Sequence, residues 1–345
     1  MKNLVFRVDA GNKIGTGHLM RCLALAQAWK DRGGQATFVI ACHSDNLRQR
    51  LEDEGFEIHL LPSVYPDDHG ERDKTKNILA GYDGDWIVLD GYYFDEVYQQ
   101  RIKKAGHRLL VIDDMAHLKH YYADIVLNQN LHAGQLHYSC EPNTRLLLGT
   151  KYVLLRREFL NYKNWKREIP EVAKRVLITL GGSDAKNRTS GVIKALQKVD
   201  ISGLEATVVI GASNPHSDKL EATIKESRIP IRIIRHASNM PELMASADVA
   251  ICSAGTTVWE LAFMGTPTIV VATMPGEEVA ADLLRGDLPF PILKCSDDGF
   301  EFYLIDAVKQ LVADREARSK MSRTGQGMVN GGGCSIVVQM LLENN

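Results

Sequence analysis

A histidine stands where a glycine-rich loop passes into a helical pattern near the start of the chain. The run Leu4 to Val8 is mostly apolar, Gly15-Thr16-Gly17 follows, and apolar residues recur at helical spacing from Leu19 onward. Imidazole is a poor helix N-cap beside Ser, Thr, Asp or Asn, but it is the side chain best suited to moving protons near pH 7. The sequence therefore favours a chemical role for His18 over a capping role.

A second candidate site is the segment Ser253 to Glu260, SAGTTVWE, which lies between an apolar strand pattern and a helix. Small residues leave backbone N–H groups open at a helix N-terminus, where the helix dipole favours a diphosphate. Glu260 could accept hydrogen bonds from two ribose hydroxyls. Thr257-x-x-Glu260 also fits a capping box, in which Glu260 only satisfies backbone donors. The residues alone leave both interpretations open.

The loop Gly181-Gly182-Ser183-Asp184 follows the strand pattern RVLITL and has the same character. Glycine pairs at strand ends are often simple turns, so this loop alone is a weak signal. Two backbone-rich loops in one half of the chain strengthen the case for a nucleotide phosphate.

Carboxylates and imidazoles also follow the strand pattern RLLVID, at Asp113, Asp114, His117 and His120. Such mixed sets occur at metal sites, but polar loops after strands are normally rich in Asp and His, and we favour the loop. The residues after WIVLD have a better claim to a ligand, because tyrosine can bond a sugar hydroxyl; they are Asp90, Tyr92 and Tyr93.

Strand patterns alternate with helix patterns along the whole chain, which is typical of parallel α/β sheets. A charged and aromatic stretch between Tyr152 and Lys174 marks the boundary between two domains. We predict an α/β fold of two Rossmann-like domains facing a central cleft. The first, residues 1–165, carries His18, and the second, residues 166–345, binds the nucleotide. The last helix is expected to pack back on the first domain.

Composition and missing motifs exclude several classes of protein function. The chain has 345 residues, 45% of them hydrophobic and 24% charged, with a formal net charge of −2, so no basic field for nucleic acid is expected. Six scattered cysteines and no apolar run of about 18 residues predict a cytoplasmic protein without a membrane span, and we expect a monomer. The third glycine of a dinucleotide fingerprint is replaced by Met20, and no P-loop or nucleophile elbow is present. No cofactor is expected.

Six segments together carry a family resemblance: FRVDAGNKIGTGHLMRCLALA, DGYY, VIDDMAH, VLNQN, LGGSDAKN and ICSAGTTVWELAFMGTP. In this order they resemble the UDP-2,4-diacetamido-2,4,6-trideoxy-β-L-altropyranose hydrolases of pseudaminic acid biosynthesis and the related spore-coat polysaccharide proteins. The S-A-G-T-x-x-x-E element is shared more widely with two-Rossmann-domain (GT-B) glycosyltransferases such as the peptidoglycan N-acetylglucosaminyltransferase.

The resemblance implies a metal-independent hydrolase of a nucleotide sugar. Water would attack the anomeric carbon with inversion and release UDP. His18 would activate that water, with Asp9 and Tyr92 as companions on the sugar side. The nucleotide would be held by Gly17, Gly182, Ser183, Met240, Ser253, Ala254, Gly255, Thr256 and Glu260, with the uracil pocket near residues 234–240.

The chain departs from the family at one place. Members usually carry an Asn-Gln pair after the strand TIVVAT, whereas this chain has Met274-Pro275-Gly276-Glu277-Glu278. These residues would lie near the sugar or the phosphate, so the departure bears on the identity of the sugar. The alternatives are a GT-B glycosyltransferase that uses a UDP-sugar donor and a nucleotide-sugar binding protein without turnover.

Overall fold

The chain divides into two structural units, each with its own sheet. The computed structural model describes residues 3–11, 14–42, 44–62, 71–82, 85–211, 214–235, 237–283 and 289–343. Unit 1 comprises Met1–Ile14, His18–Arg157 and Gly331–Asn345, and unit 2 comprises Gly15–Gly17 and Glu158–Asn330.

Unit 1 is built on a parallel sheet of seven strands within the described residues. The strands are β1 (Asn3–Val8), β2 (Gln35–Ile40), β3 (Glu57–Leu60), β4 (Trp86–Asp90), β5 (Arg108–Ile112), β6 (Ile125–Asn128) and β7 (Arg145–Leu148). Their order is β3-β2-β1-β4-β5-β6-β7, and every pair is parallel. Strands such as WIVLD are buried along their whole length, as continuous apolar runs in parallel sheets are.

Helices connect and cover these strands. They are α1 (Gly17–Asp31), α2 (Asp45–Asp53), α3 (Glu71–Leu79) and α4 (Glu96–Lys104), and a short helix, α5 (Arg157–Leu160), follows where the chain passes from the unit 1 stretch into the unit 2 stretch. Trp29 of α1 and Trp86 of β4 are fully buried, and Phe6 stacks on Phe38 with ring centroids 4.8 Å apart. The apolar face of α1 is thus packed onto the sheet that positions its N-terminus.

Unit 2 repeats the same plan. Its strands are β8 (Arg175–Thr179), β9 (Glu205–Ile210), β10 (Ile231–Arg235), β11 (Val249–Ser253), β12 (Thr268–Ala272) and β13 (Ile292–Lys294), in the parallel order β10-β9-β8-β11-β12-β13. Its helices are α6 (Arg188–Leu196), α7 (Ser217–Lys225), α8 (Met240–Ser246), α9 (Thr257–Phe263), α10 (Pro275–Leu283), α11 (Phe300–Ala313) and α12 (Arg315–Met328).

The last helix, α13 (Gly333–Glu343), returns to unit 1. Trp86 Nε1 donates a hydrogen bond to the carbonyl of Leu341 at 3.2 Å. Gly333 approaches the chain so closely that an added Cβ would lie 2.2 Å from the carbonyl oxygen of Val153. A side chain at this position would therefore force α13 away from unit 1.

In each sheet the order in which strands are added reverses at one place. The chain adds strands on one side of β1 and then continues on the other side from β4; in unit 2, β8 and β11 meet in the same way. In open α/β sheets ligands bind at such switch points, outside the carboxyl ends of the strands. The loops that leave β1, β4, β8 and β11 are therefore the places to look for a site. The α/β class predicted from the alternating pattern is confirmed.

Candidate functional site

His18 and Asp90 meet at the switch point of unit 1. Val8 and Asp90 are register partners in the β1–β4 pair, so the loop before α1 begins beside the end of β4. His18 Nδ1 lies 2.6 Å from Asp90 Oδ1, and both side chains are buried. Burial alone would raise the pKa of Asp90, but the charge of Arg21 and the hydrogen bonds from Arg21 and His18 outweigh it and hold that pKa below its usual value. Asp90 is therefore an ionised acceptor for the His18 ring.

Arg21 joins His18, Asp90 and a second carboxylate. It lies three residues after His18 on α1, which places both side chains on one helix face. Its Nε donates to Asp90 Oδ2 at 2.6 Å, and its Nη1 donates to Asp114 Oδ1 at 2.8 Å. Burial opposes ionisation of Asp114 as well, yet the guanidinium holds its pKa well below the usual range. The cluster contains two carboxylates and one guanidinium, so a proton taken up by His18 would be electrostatically compensated.

The geometry around Arg21 also fixes which nitrogen of His18 carries the proton. Arg21 Nη2 lies 3.0 Å from His18 Nδ1, but it donates to Asp90 Oδ1 at 2.6 Å and to Asp114 Oδ2 at 3.0 Å. Those two bonds use both of its hydrogens. His18 Nδ1 is then the donor to Asp90, and Nε2 keeps the lone pair that a general base needs.

Tyr92 lies against this group. Its hydroxyl donates to Asp114 Oδ2 at 2.8 Å, and its ring meets the His18 ring edge to face, with centroids 5.0 Å apart. Burial and the neighbouring Asp114 carboxylate raise the pKa of Tyr92, so its hydroxyl remains protonated. The side chain is 44% exposed, which leaves part of the ring open to a ligand. Two residues expected on the sugar side, His18 and Tyr92, are thus brought together.

The structure places Asp9 in a different environment. Its carboxylate is fully buried and accepts from both terminal nitrogens of Arg7, from the backbone N–H of Ala41 at 2.7 Å and from the hydroxyl of Tyr93 at 3.0 Å. Both carboxylate oxygens of Asp9 thus accept hydrogen bonds from residues of unit 1. Asp9 is connected to the His18 group through Tyr93, the neighbour of Tyr92 in the turn after β4.

The four residues considered as metal ligands are divided among separate partners. Asp113 accepts from His117, while Asp114 is bound by Arg21. His120 contacts Ser139 and Glu141 instead. Within the described part of the chain, no group of three or more His, Cys, Asp or Glu residues is arranged to hold a metal ion.

The two loops predicted to hold a phosphate flank the switch point of unit 2. Thr179 and Cys252 are register partners in the β8–β11 pair, one residue before the end of β11. Gly181 has a φ of +86°, a conformation that favours glycine, and a Cβ added there would lie 3.4 Å from Ser253 Oγ. The Gly182-Ser183 loop and the Ser253–Thr256 loop therefore lie side by side at the ligand-binding edge of this sheet.

The helix after the second loop begins one residue earlier than the capping box requires. α9 starts at Thr257, so its N-cap is Thr256, whose side chain makes no capping hydrogen bond. A capping box with Thr257 as N-cap would put Glu260 at the third helical position, but Glu260 is the fourth residue of α9. This geometry weakens the capping interpretation. Glu260 itself is half-buried on the first turn.

The remaining predicted nucleotide contact begins a helix. Met240 is the buried first residue of α8, with Pro241 in the first turn, a favoured place for proline. Residues 234–235 end β10, and residue 236, which falls within the predicted uracil pocket, lies outside the described residues.

The departure from the family after β12 has a local structural role. Glu277 accepts from the backbone and hydroxyl of Thr273 at 2.7 and 2.9 Å and from the backbone of Met274 at 3.2 Å. Burial raises the pKa of this carboxyl. Glu277 therefore stabilises the start of α10 with the same carboxylate that could otherwise have contacted a ligand.

Residue-by-residue inspection of the sequence missed Arg21 and Asn130. Asn130 donates to Asp114 Oδ1 at 2.7 Å, across 16 residues of chain. The i, i+3 spacing of His18 and Arg21 was a usable signal, because it places a cation beside the imidazole. The pairing of Arg21 with Asp114 spans 93 residues and has no local signature.

Comparison with known proteins finds a family model that matches part of unit 2. Residues 175–279 match the family model of the glycosyltransferase family 28 C-terminal domain. The chain is 27% identical to the UDP-2,4-diacetamido-2,4,6-trideoxy-β-L-altropyranose hydrolase of Campylobacter jejuni over 81% of its own length and 95% of that protein. It is 22% identical to the spore coat polysaccharide biosynthesis protein SpsG of Bacillus subtilis, over 97% of this chain and 96% of the relative. The resemblance predicted from the sequence is confirmed.

A further relative is longer than this chain. An uncharacterised protein of Methanocaldococcus jannaschii is 27% identical over 76% of this chain, and the match spans 54% of that protein, about half its length. Among solved structures, MurG of Acinetobacter baumannii is similar over 99% of this chain and 100% of its own, with 16% identity and a TM-score of 0.63. A spinosyn rhamnosyltransferase, SpnG, in complex with thymidine diphosphate has 14% identity and a TM-score of 0.64, with 99% and 100% of the two chains covered. These structures share the fold. No helix in the described residues is long and apolar enough to cross a membrane.

Proposed function

We propose that this chain hydrolyses a UDP-linked 2,4-diacetamido-2,4,6-trideoxy sugar at the anomeric C–O bond, with inversion, and releases UDP. The observation that carries the proposal is the His18–Asp90 pair at the switch point of unit 1. It supplies an oriented base in a chain whose relatives include a hydrolase of this substrate. The reaction would serve the biosynthesis of a nonulosonic acid such as pseudaminic acid. The expectations of a cytoplasmic monomer belong to the same proposal.

In this proposal the water is activated by unit 1. His18 Nε2 accepts a proton from water as the oxygen attacks the anomeric carbon, and Asp90 stabilises the imidazolium through Nδ1–H. Tyr92 presents its partly exposed ring and its hydroxyl to the sugar. Asp9 acts indirectly, by holding Tyr93 in the same turn.

The leaving group is assigned to unit 2. The backbone N–H groups of the adjacent Gly182-Ser183 and Ser253–Thr256 loops would bind the departing diphosphate, and Glu260 would bind the ribose. Gly17 and Met240 complete the proposed nucleotide contacts. The match of residues 175–279 to the glycosyltransferase family 28 C-terminal domain supports a nucleotide-sugar role for this half.

The proposal is tested by incubating the protein with the UDP-linked diacetamido-trideoxy sugar and with other UDP-sugars, in ¹⁸O-labelled water and without an acceptor. Hydrolysis at the anomeric carbon places the ¹⁸O in the free sugar, whereas cleavage at phosphorus places it in the nucleotide. Activity is expected to survive EDTA; its loss there would contradict the metal-independent assignment.

Glycosyl transfer is the second candidate, and the glycosyltransferase family match favours it. An acceptor hydroxyl would then take the place of water. UDP that is released only after an acceptor is added would support transfer and reject hydrolysis. A thermal shift with UDP and no product under either condition would instead indicate a nucleotide-sugar binding protein.

A further inference from the structure

A second histidine lies on the other side of Tyr92 from the proposed base. The His117 ring meets the Tyr92 ring edge to face, with centroids 6.0 Å apart and an interplanar angle of 88°. Its Nδ1 lies 3.0 Å from Asp113 Oδ1. Tyr92 is therefore bracketed by two imidazoles, His18 and His117.

The Asp113 carboxylate, which contacts His117, is fixed by several other donors. It is buried at the end of β5 and accepts from four further groups, the backbone N–H groups of Met115 and Ala116 and the hydroxyls of Tyr121 and Tyr138. The first two of these bonds hold the loop in a conformation that gives Ala116 a φ of +51°, which is uncommon for a residue with a side chain. The loop that carries His117 is thus held in place by the carboxylate that His117 contacts.

Asp113 is the acceptor for His117. Its carboxylate is surrounded by donors and accepts only, so His117 Nδ1 carries the proton of this contact. The contact is stronger when the ring is an imidazolium, because the carboxylate then faces a cation. We propose that His117 is a positioning residue for the His18 site, and that its bond to Asp113 holds its ring against the ring of Tyr92. This inference rests on the proposed function for its effect on turnover.

The charges around His117 agree with that assignment. Burial lowers the pKa of His117, but the hydrogen bond and charge of Asp113, with a smaller contribution from Asp114, raise it above the ordinary value. Further titratable groups at this corner are Tyr92, on the turn after β4, Tyr121 and Tyr138, which donate to Asp113, and Cys140, whose thiol pKa is raised by burial and by the Asp113 charge. Arg21, the nearby cation, is paired with Asp114 and Asp90.

Protonation of His117 and its contact with Asp113 stabilise each other. Because the folded pKa of His117 is raised, the charged pair with Asp113 is complete below the ordinary histidine pKa of about 6.5 and is lost as pH rises through the folded value. His18 must be unprotonated to act as a base, so turnover requires the two histidines in opposite protonation states. The alkaline limb of the activity profile would then report His117.

The test compares His117→Phe with His137→Gln, a change at an exposed histidine of the same unit. Phenylalanine keeps a ring against Tyr92 but removes the donor to Asp113. We expect kcat to fall roughly 10- to 100-fold with little change in KM, because Tyr92 is displaced beside His18 rather than removed. The variant should also lose the alkaline limb, while His137→Gln keeps it. Wild-type kcat and an unchanged limb in His117→Phe would overturn the proposal.

A second measurement does not depend on turnover. In ¹⁵N-labelled protein, the His117 ring should titrate with a midpoint above the ordinary histidine value of about 6.5, and the signals of Tyr92 should shift with the same midpoint. Asp113→Asn should lower that midpoint. A His117 midpoint at or below the ordinary value, or Tyr92 signals that do not follow the titration, would reject the role of His117. Failure of the proposed hydrolysis would show only in the absence of UDP release by the wild type.

Discussion

His18 Nδ1 and Asp90 Oδ1 lie 2.6 Å apart, between the start of α1 and the end of β4, although 72 residues separate them in the chain. The contact exists because β1 and β4 are neighbours in the sheet, which brings the loop after one strand to the end of the other. It assigns the proton to Nδ1 and the lone pair to Nε2. The arrangement resembles the carboxylate–histidine pairs that orient general bases in hydrolases.

Asp90→Asn should therefore disable the base without removing it. An amide whose oxygen serves Arg21 turns its NH₂ towards His18 Nδ1, and the ring must then carry its proton on Nε2. Such a tautomer cannot accept a proton from water. We expect kcat for UDP release to fall by about 10²- to 10⁴-fold.

The control for this variant is Asp114→Asn, which weakens a partner of Arg21 but leaves the His18–Asp90 contact in place. It should lose less activity than Asp90→Asn. Both proteins should be checked for cooperative thermal unfolding before the rates are compared. Near-wild-type turnover in folded Asp90→Asn would exclude the orienting role.

His18→Asn separates chemistry from nucleotide binding. The proposed base is lost, so turnover should decrease by about 10²- to 10⁴-fold. UDP affinity, measured by calorimetry, should stay near that of the wild type, because the nucleotide is assigned to the loops of unit 2. A variant that keeps its activity would remove His18 from the mechanism, and a large loss of UDP affinity would place His18 in the nucleotide site instead.

The apolar strand patterns of the sequence predict most of the fold. Apolar runs such as WIVLD and DVAIC coincide with buried central strands, β4 and β11, because strands covered on both faces need continuous apolar sequence. The polar, turn-rich sequence from Pro62 to Asp73 predicts a loop, but α3 already begins at Glu71; residues 63–70 lie outside the described residues.

Other elements lacked a clear periodic signal. In α11, Phe302 and Tyr303 are 70% and 51% exposed, so apolar residues lie on the outer face and obscure the helical period of the sequence. β13 has three residues at the edge of the sheet, too few for any pattern to register.

The candidate site was predictable where a residue type and a local turn coincided. His18 and Tyr92 satisfy that condition, since each follows directly on a strand and loop that the sequence marks. The Arg21–Asp114 ion pair does not, because it depends on which strands are neighbours. Asp9 shows that a residue type at a strand end can also mislead. A carboxylate at the end of a strand suggests a ligand contact, but Arg7 on the same strand occupies it.

Glu260→Ala tests the assignment of the ribose. If Glu260 accepts two hydroxyl hydrogen bonds, its removal should weaken UDP binding about 10- to 100-fold, and Glu260→Gln should have an intermediate effect. The matched control is Glu316→Ala, an exposed acid in the first turn of α12 in the same unit. It removes a comparable favourable charge from a helix start without touching the proposed site. If Glu260→Ala changes only the unfolding temperature, as Glu316→Ala would, Glu260 is structural.

The acid sensitivity of unit 1 should follow from Asp90 and Asp114. Arg21 holds the pKa of each carboxyl below its usual value, against the opposing effect of burial. Groups with a depressed folded pKa contribute stability that is present above the unfolded value, about 3.9, and is lost as pH falls through the folded value. The free energy of unfolding should thus decrease as the pH is lowered below about 4.

Asp114→Asn should cost roughly 1–3 kcal/mol at pH 7 and flatten the acid dependence, because the variant no longer has that carboxylate to protonate. Asp53→Asn, at an exposed aspartate of α2, should leave the profile unchanged. Chemical denaturation between pH 3 and 7 measures all three proteins, and an Asp114→Asn profile parallel to that of the wild type would mean that Arg21 does not stabilise the ionised form of Asp114.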